Sequence, residues 1–219
     1  MCNLSPSLLS ANFYNLENDL NILYEENIKY IHLDVMDGVF VPNISMGIPV
    51  IASIKKNTQN KFILDTHLMI ENPKKYIDSF KDAGSDIITF HREVSEEYLE
   101  LIDYIKSKSI KAGISISPDT EVKSIIDALD KVDLVLIMSV HPGFGGQKFI
   151  ENALDKIKYL KELKTKNNYN YLIEVDGGVY IENVKKVIDA GCDLIVSGSG
   201  VFKGNIRNNI REFKNLFRG

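Results

Sequence analysis

The segment Ile31-His32-Leu33-Asp34-Val35-Met36-Asp37-Gly38 carries an imidazole and a carboxylate two positions apart inside an otherwise apolar run. On a β-strand, residues two apart point to the same face. Two further apolar runs are interrupted in the same way, by His67 in Leu64-Asp65-Thr66-His67-Leu68-Met69 and by Asp176 at the end of Ile173-Glu174-Val175-Asp176-Gly177-Gly178. Gathered around one point, His32, Asp34, His67 and Asp176 would offer two imidazoles and two carboxylates. That donor set suits one divalent cation per chain, of the kind of Zn²⁺, Fe²⁺, Mn²⁺ or Co²⁺. The competing reading makes each a hydrogen-bonded residue of the core. Burying two carboxylates without a cation or hydrogen bonds would be very costly, so four such residues at three strand ends need a partner of some kind. Asp37, in an Asp-Gly turn dipeptide, and Asp65 read as residues around the cluster or in turns. His91 also ends an apolar run, but no partner stands at ligand spacing from it, and it reads as structural.

Glycine supplies a second signal. Ser139-Val140-His141-Pro142-Gly143-Phe144-Gly145-Gly146-Gln147 holds three glycines in four residues, at Gly143, Gly145 and Gly146. Such a loop frees backbone N–H groups to curl around an anion, although an ordinary flexible loop has the same composition. Gly177-Gly178 and Ser197-Gly198-Ser199-Gly200 follow two later apolar runs. Three neighbouring glycine-rich turns predict a phosphate site. Met36, Met69 and Met138 each fall near the end of an apolar run. They are core filling by default, or a water-excluding collar if the runs end at a common mouth.

The elements that must position these residues alternate along the chain. Strands are predicted at Leu4–Leu9, Tyr30–Val35, Phe62–Met69, Ile87–His91, Ala112–Ile116, Leu134–Val140, Tyr171–Val175 and Leu194–Ser197. Helices are predicted at Leu16–Glu26, Pro49–Lys56, Pro73–Ala83, Glu96–Ser107, Val122–Leu129, Glu151–Lys164, Ile181–Ala190 and Ile206–Phe217. Pro73 stands at a first helical position, and Gly84 and Gly191 stand where helices should stop. About eight strand–helix units in a chain of 219 residues predict an α/β fold, a single (β/α)₈ barrel with parallel strands over residues 1–219. A doubly wound open sheet has the same alternation, but the first strand lacks a G-x-G-x-x-G turn. In either fold the chemistry lies at the C-terminal ends of the strands, where all the residues singled out above fall.

Composition closes off other classes. The chain is 44% hydrophobic and 26% charged, which excludes wholesale disorder. Thirty acidic residues against 26 basic ones give a net charge of -4, with no basic block. That argues against nucleic acid and anionic membranes as partners. The apolar run Leu134–Met138 falls far short of the roughly 20 residues that span a bilayer. No secretory signal is expected from the first residues, and two cysteines, Cys2 and Cys192, are too few for a disulfide framework. A reduced, cytoplasmic protein is the expectation, a homo-oligomer through its outer helices.

These stretches together resemble the ribulose-phosphate 3-epimerase family. The matching residues are Ser5-Pro6-Ser7-Leu8-Leu9-Ser10-Ala11-Asn12-Phe13, His32 to Gly38, Phe40-Val41-Pro42-Asn43, His67-Leu68-Met69, Pro142 to Gln147 and Glu174 to Gly178, in the family's order. The resemblance implies a (β/α)₈ barrel that interconverts D-ribulose 5-phosphate and D-xylulose 5-phosphate, with one divalent metal held by His32, Asp34, His67 and Asp176. It implies that Asp34 and Asp176 double as the acid/base groups. It also implies that Ser7 contacts substrate, and that Gly143, Phe144, Gly145, Gly146, Gly177, Gly178, Gly198 and Ser199 surround the phosphate. His67, Asp176 and the three methionines would line the sugar. The chain departs from the pattern at Val39, Ser117 and His141, none of them in the ligand set.

Epimerisation next to a ketone needs a proton taken from one face and another delivered to the opposite face, through an enediolate. Two carboxylates from well-separated strands suit that task. An epimerase for a longer ketose phosphate, such as D-allulose 6-phosphate, is the nearest alternative. A metal-dependent hydrolase would use the same ligands without needing the glycine-rich mouth. A silent sugar-phosphate binder would not need two ionised groups at the reacting centre.

Overall fold

The computed structural model describes residues 2–217. Its eight strands are β1 (Asn3–Pro6), β2 (Tyr30–Met36), β3 (Ile63–Met69), β4 (Ile87–His91), β5 (Lys111–Ile116), β6 (Leu134–Met138), β7 (Leu172–Asp176) and β8 (Leu194–Ser197). All are parallel, in the order β1-β8-β7-β6-β5-β4-β3-β2. A parallel bridge between Ser7 and His32 brings the end of β1 onto β2 and closes the ring. The fold is the (β/α)₈ barrel that the alternation of runs predicts. No helix among the described residues is long and apolar enough to cross a membrane.

The helices are α1 (Leu16–Glu25), α2 (Ile48–Thr58), α3 (Ile77–Ala83), α4 (Tyr98–Ser107), α5 (Asn152–Asn167), α6 (Val184–Ala190), α7 (Ser199–Phe202) and α8 (Ile206–Phe217). α3 and α6 end at Gly84 and Gly191, as their Asp-Ala-Gly sequences predict. The outward face of each strand meets the inward stripe of these helices. Leu33, Leu64, Ile88, Ile114, Ile137, Ile173 and Ile195 form one core with Ile51, Ile102, Ile157, Val187 and Ile210. Full burial of each such side chain stabilises by roughly 1.5–3 kcal/mol.

Several elements differ from the sequence expectation: the helix expected over Pro73–Ala83 opens as a 3₁₀ stretch, Pro73–Tyr76, with α3 only from Ile77, and the helix expected from Ile181 begins at Val184. The first strand stops at Pro6 rather than Leu9, because the Ser7 hydroxyl accepts the Leu9 N–H at 3.3 Å and starts a 3₁₀ turn over Leu8–Ser10. The sixth stops at Met138 rather than Val140. There the Ser139 hydroxyl lies 2.9 Å from the Asp176 carbonyl and 2.6 Å from that of Gly177, and the chain turns away. The fifth connecting helix is a 3₁₀ stretch, Val122–Ala128. Its buried residues Val122, Ile125 and Ala128 recur every third position, which matches three residues per turn and not 3.6.

Inside the barrel the strands alternate in layers. Tyr30, Ile63, Ile87, Leu134, Leu172 and Leu194 stand near the strand starts, in one apolar cluster that continues through Leu136 and Met138 to Val140. One pleat further, Ser5, His32, Asp65, Thr89, Ser115 and Glu174 make a buried polar layer. The pairing register then stacks Asp34 beside His67 and Met36 beside Met69 on β2 and β3, and Met138 beside Asp176 on β6 and β7. The strand pleat thus carries the residues singled out in the sequence to one mouth.

Candidate active site

The four residues of the predicted ligand set meet. His32 Nε2 lies 3.3 Å from Asp34 Oδ1 and 3.4 Å from His67 Nδ1, and His67 Nδ1 lies 3.2 Å from the same Asp34 oxygen. With Asp176 they form a group whose donor atoms all lie within 4.8 Å of one another. Ligands about 2.1 Å from one tetrahedral ion stand roughly 3.4 Å apart, which the 3.3, 3.4 and 3.2 Å spacings among His32, Asp34 and His67 match. His32, Asp34 and His67 are buried, while Asp176 opens partly to the pocket.

The surroundings orient this group. His32 Nδ1 lies 2.6 Å from Asp65 Oδ2, which turns Nε2 toward Asp34 and His67. The Ser7 hydroxyl donates to Asp34 Oδ2 at 2.5 Å, leaving Oδ1 to face the two histidines. Asp37 accepts the N–H groups of Val39, Phe40 and Glu71, a turn-and-loop role as its Asp-Gly dipeptide predicts. Met36, Val41 and Met69 pack with Leu9 and Phe40 into an apolar cluster, and Met36, Met69 and Met138 line the pocket wall.

Charge in the cluster is unevenly distributed. Desolvation alone would raise the Asp34 pKa, but His32 and His67 outweigh it and hold the carboxyl well below the usual range. Asp176 is pushed up to about 7, by desolvation first and then by the Asp34 charge. Burial pushes His67 down to about 4, leaving a neutral imidazole with a free lone pair at neutral pH. For His32 burial acts in the same sense, yet Asp34 and Asp65 overcome it and hold the ring well above the ordinary histidine value. A cation at the centre of this group would compensate the clustered carboxylates.

Glu174 is a polar residue that the sequence reading passed over. It lies two positions before Asp176 on β7, so the same two-residue period that pairs His32 with Asp34 points it inward. Its Oε1 is 3.6 Å from His32 Nδ1, and neither of its oxygens has a hydrogen-bond partner. Burial and the nearby Asp65 carboxylate push its pKa well up, in the direction of the neutral acid. His91 was expected to be only structural. It lies with its Nε2 2.9 Å from His67 Nε2, a contact made across β3 and β4 that no sequence spacing announces.

The remaining pocket lining comes from three glycine-rich turns and the first loop: Gly143 to Gly146, Gly177 and Gly178, Gly198 and Ser199, with Ser7 and Ser10. The turns are interlocked. Asn43 Nδ2 donates to the Gly143 carbonyl at 2.8 Å, and the Tyr180 hydroxyl lies 2.7 Å from Ser199 Oγ. Gly178, at φ +63°, is pressed against backbone, where an added Cβ would stand 2.5 Å from Phe149 N and 2.7 Å from Gln147 O. Phe144 projects from the first turn and is half exposed at the rim. Ser10 and Tyr180 join this region without having been singled out in the sequence; Ser10 stands in the matched Ser5–Phe13 segment, whereas Tyr180 had no signal.

Comparison with known proteins agrees with this arrangement. Residues 3–202 match the model of the ribulose-phosphate 3 epimerase family. The chain belongs to that family. It is 43% identical over 205 residues to the ribulose-phosphate 3-epimerase of Treponema pallidum (strain Nichols), covering 94% of this chain and 93% of that one. It is 44% identical over 203 residues to the Bacillus subtilis (strain 168) enzyme of the same name, with 92% and 93% covered. The family makes this chain an epimerase, an isomerase of pentose-phosphate metabolism. Among solved structures, 3-hexulose-6-phosphate synthase from Salmonella typhimurium superposes with a TM-score of 0.74 at 14% identity, over 99% of this chain and 98% of that one. At that identity the likeness is one of fold alone.

Proposed function

We propose that this epimerase interconverts D-ribulose 5-phosphate and D-xylulose 5-phosphate at C3, with one divalent cation held by His32, Asp34, His67 and Asp176. The observation that carries the reading is the arrangement of the two carboxylates. Asp34 on β2 and Asp176 on β7 reach the same cluster from strands separated by β1 and β8. A planar carbon placed between them would meet one carboxyl on each face.

The cation would supply Lewis-acid polarisation of the ketone and offset the negative charge that develops on the substrate oxygens. Asp34, held ionised by the two imidazoles, takes the C3 proton of ribulose 5-phosphate. Asp176, whose desolvation favours the protonated form, delivers a proton to the opposite face. The resulting enediolate differs from the substrate by one proton, and redelivery from the other side inverts C3. Ser7 holds Asp34 Oδ2 and so fixes which Asp34 oxygen faces the cluster. The methionine wall keeps water out and lowers the local dielectric, which strengthens every charge interaction at C3. The glycine turns hold the phosphate, so its binding energy orients the distant carbon. The unpaired thiols of Cys2 and Cys192 support a reducing compartment, the cytoplasm.

A coupled assay on purified protein decides the substrate. D-ribulose 5-phosphate should turn over far faster than D-allulose 6-phosphate, and the opposite preference would replace the pentose with the longer ketose. Cation dependence is tested separately. His67→Ala should lower bound metal, read by elemental analysis, and activity together. The loss in affinity should exceed the roughly 10–100-fold typical of losing an outer partner. Full activity in rigorously metal-free protein would remove the cation from the reading.

A further inference from the structure

The turns after β7 and β8 are clasped together by two hydroxyl contacts. The Ser197 hydroxyl donates to the Val179 carbonyl at 2.8 Å, and the Tyr180 hydroxyl lies 2.7 Å from Ser199 Oγ. Tyr180 is held at its backbone too. Its N–H donates to Asn183 Oδ1 at 2.8 Å, while Asn183 Nδ2 donates to the Gly178 carbonyl at 2.9 Å. The Tyr180 ring lies over Gly200, where an added Cβ would stand 3.3 Å from Tyr180 Cδ1 and 2.5 Å from Ser197 Oγ. The side chain is therefore fixed at its base, along its ring and at its tip. Tyr180 and Ser199 are both half-buried, and both line the pocket that Gly178 and Gly198 line. Neither hydroxyl has a second hydrogen-bond partner among the described residues. No step of the proposed reaction uses Tyr180.

We propose that Tyr180 is a positioning residue for the substrate's phosphate: its phenol donates to Ser199 Oγ, which turns the Ser199 proton into the pocket to be donated to a phosphate oxygen. The inference rests on the reading that seats the phosphate among the glycine turns. A hydroxyl carries one proton and two acceptor lone pairs. When two hydroxyls pair, one spends its proton on the other, and the second keeps its own for a third group. If Ser199 donated to Tyr180, it would face the phosphate with lone pairs alone, and lone pairs repel an anion. With Tyr180 as donor the chain runs one way, from phenol to serine to phosphate. A phenolic O–H is the stronger donor of the two and an alcohol oxygen the better acceptor, so the pair takes this direction before the phosphate arrives. Each bond in such a chain polarises the next. The last one, to a charged oxygen, is of the stronger kind. An unpartnered serine hydroxyl would rotate among several directions, and binding would have to order it. Tyr180 makes that selection in advance, which lowers the cost of binding. Its hydrogen bonds reach none of His32, Asp34, His67 or Asp176, so its influence falls on the phosphate end of the sugar.

Tyr180→Phe tests the chain, because it keeps the ring over Gly200 and removes only the phenolic oxygen. Affinity is read in two ways for each variant, as KM for D-ribulose 5-phosphate and as competitive inhibition by inorganic phosphate. Ser199→Ala loses the last donor and should weaken both by about 10–100-fold, the worth of a hydrogen bond to a charged group. Tyr180→Phe should weaken both by about 3–10-fold, the worth of a neutral hydrogen bond, while kcat stays close to that of wild type. In the double variant, Tyr180→Phe should add almost nothing to the loss from Ser199→Ala, since no serine hydroxyl is left to orient. A tyrosine that only packed the turn would cost the same with Ser199 present or absent. The proposal is overturned if Ser199→Ala weakens both readings and Tyr180→Phe leaves them at the wild-type values. In that case the phosphate keeps its seat and the phenol has no part in it. It is also overturned if Tyr180→Phe costs as much beside Ser199→Ala as it does alone. Wild type in which inorganic phosphate does not compete with D-ribulose 5-phosphate would instead remove the phosphate from the glycine turns, and the hydroxyl chain with it.

Discussion

Asp34→Asn and Asp176→Asn, each loaded with cation, should both lose epimerisation by about 10²–10⁴-fold, the usual worth of an acid/base group. The two losses should differ in kind. Both substitutions keep the side-chain volume, and Ser7 can turn its hydroxyl to accept from the new amide in place of donating at 2.5 Å. What each removes is a proton acceptor on one face of C3. In D₂O, wild type should place deuterium at C3 of xylulose 5-phosphate. Asp176→Asn keeps Asp34, so it should still remove the C3 proton of ribulose 5-phosphate and return deuterium to the same face, washing label into unreacted substrate. Asp34→Asn should wash in none. Because both residues belong to the ligand group, bound metal is measured in each variant first. Product that carries no deuterium at C3 would rule out solvent-exchanging carboxylates. Near-normal turnover in metal-replete Asp34→Asn would leave Asp34 as a ligand only.

The parts of this site that can be read from sequence are those governed by the two-residue period of a strand. His32 and Asp34 share a face because their spacing requires it, and Asp65 with His67 follows the same rule. Register then matches Asp34 to His67 and Met138 to Asp176 across neighbouring strands. That rule also reaches Glu174, which the apolar letters around it and the prominence of Asp176 obscured. It does not reach the partnership of His67 with His91, because the contact depends on how two strands lie side by side. Nor does it reach the Tyr180–Ser199 contact, made between loops after different strands. In the fold, the eight-unit alternation was legible throughout. The error over Val122–Leu129 came from expecting a 3.6-residue period where the apolar residues keep a period of three.

Glycine substitutions in the mouth should separate binding of the phosphate from the chemistry at C3, and two positions are expected to fail for different reasons. At Gly178 an added Cβ would stand 2.5 Å from Phe149 N and 2.7 Å from Gln147 O, and the backbone sits at φ +63°. Gly178→Ala must therefore push the turn after β7 away from the one after β6. A displacement of about 1 Å in a positioning element costs roughly 10²-fold in rate. At Gly145 an added Cβ would meet, among the described residues and apart from its chain neighbours, Ser10 Oγ alone within 4 Å, at 3.6 Å, an ordinary contact, and the residue is not in the left-handed region. Gly145→Val should fold without strain and fill space in the pocket that the glycine turns line. Both variants should raise KM for D-ribulose 5-phosphate sharply, and Gly145→Val should do so with bound metal unchanged, because Gly145 lies on the turn after β6, on none of the strands that carry His32, Asp34, His67 and Asp176. The control is unphosphorylated D-ribulose, which wild type should process poorly. Its residual turnover should change little in Gly145→Val, since the chemistry at C3 is intact and only the phosphate seat is occupied. Wild type that handles D-ribulose as well as its 5-phosphate would deny the glycine turns any role in phosphate binding. A Gly145→Val variant with an unchanged KM would place the phosphate away from the turn after β6.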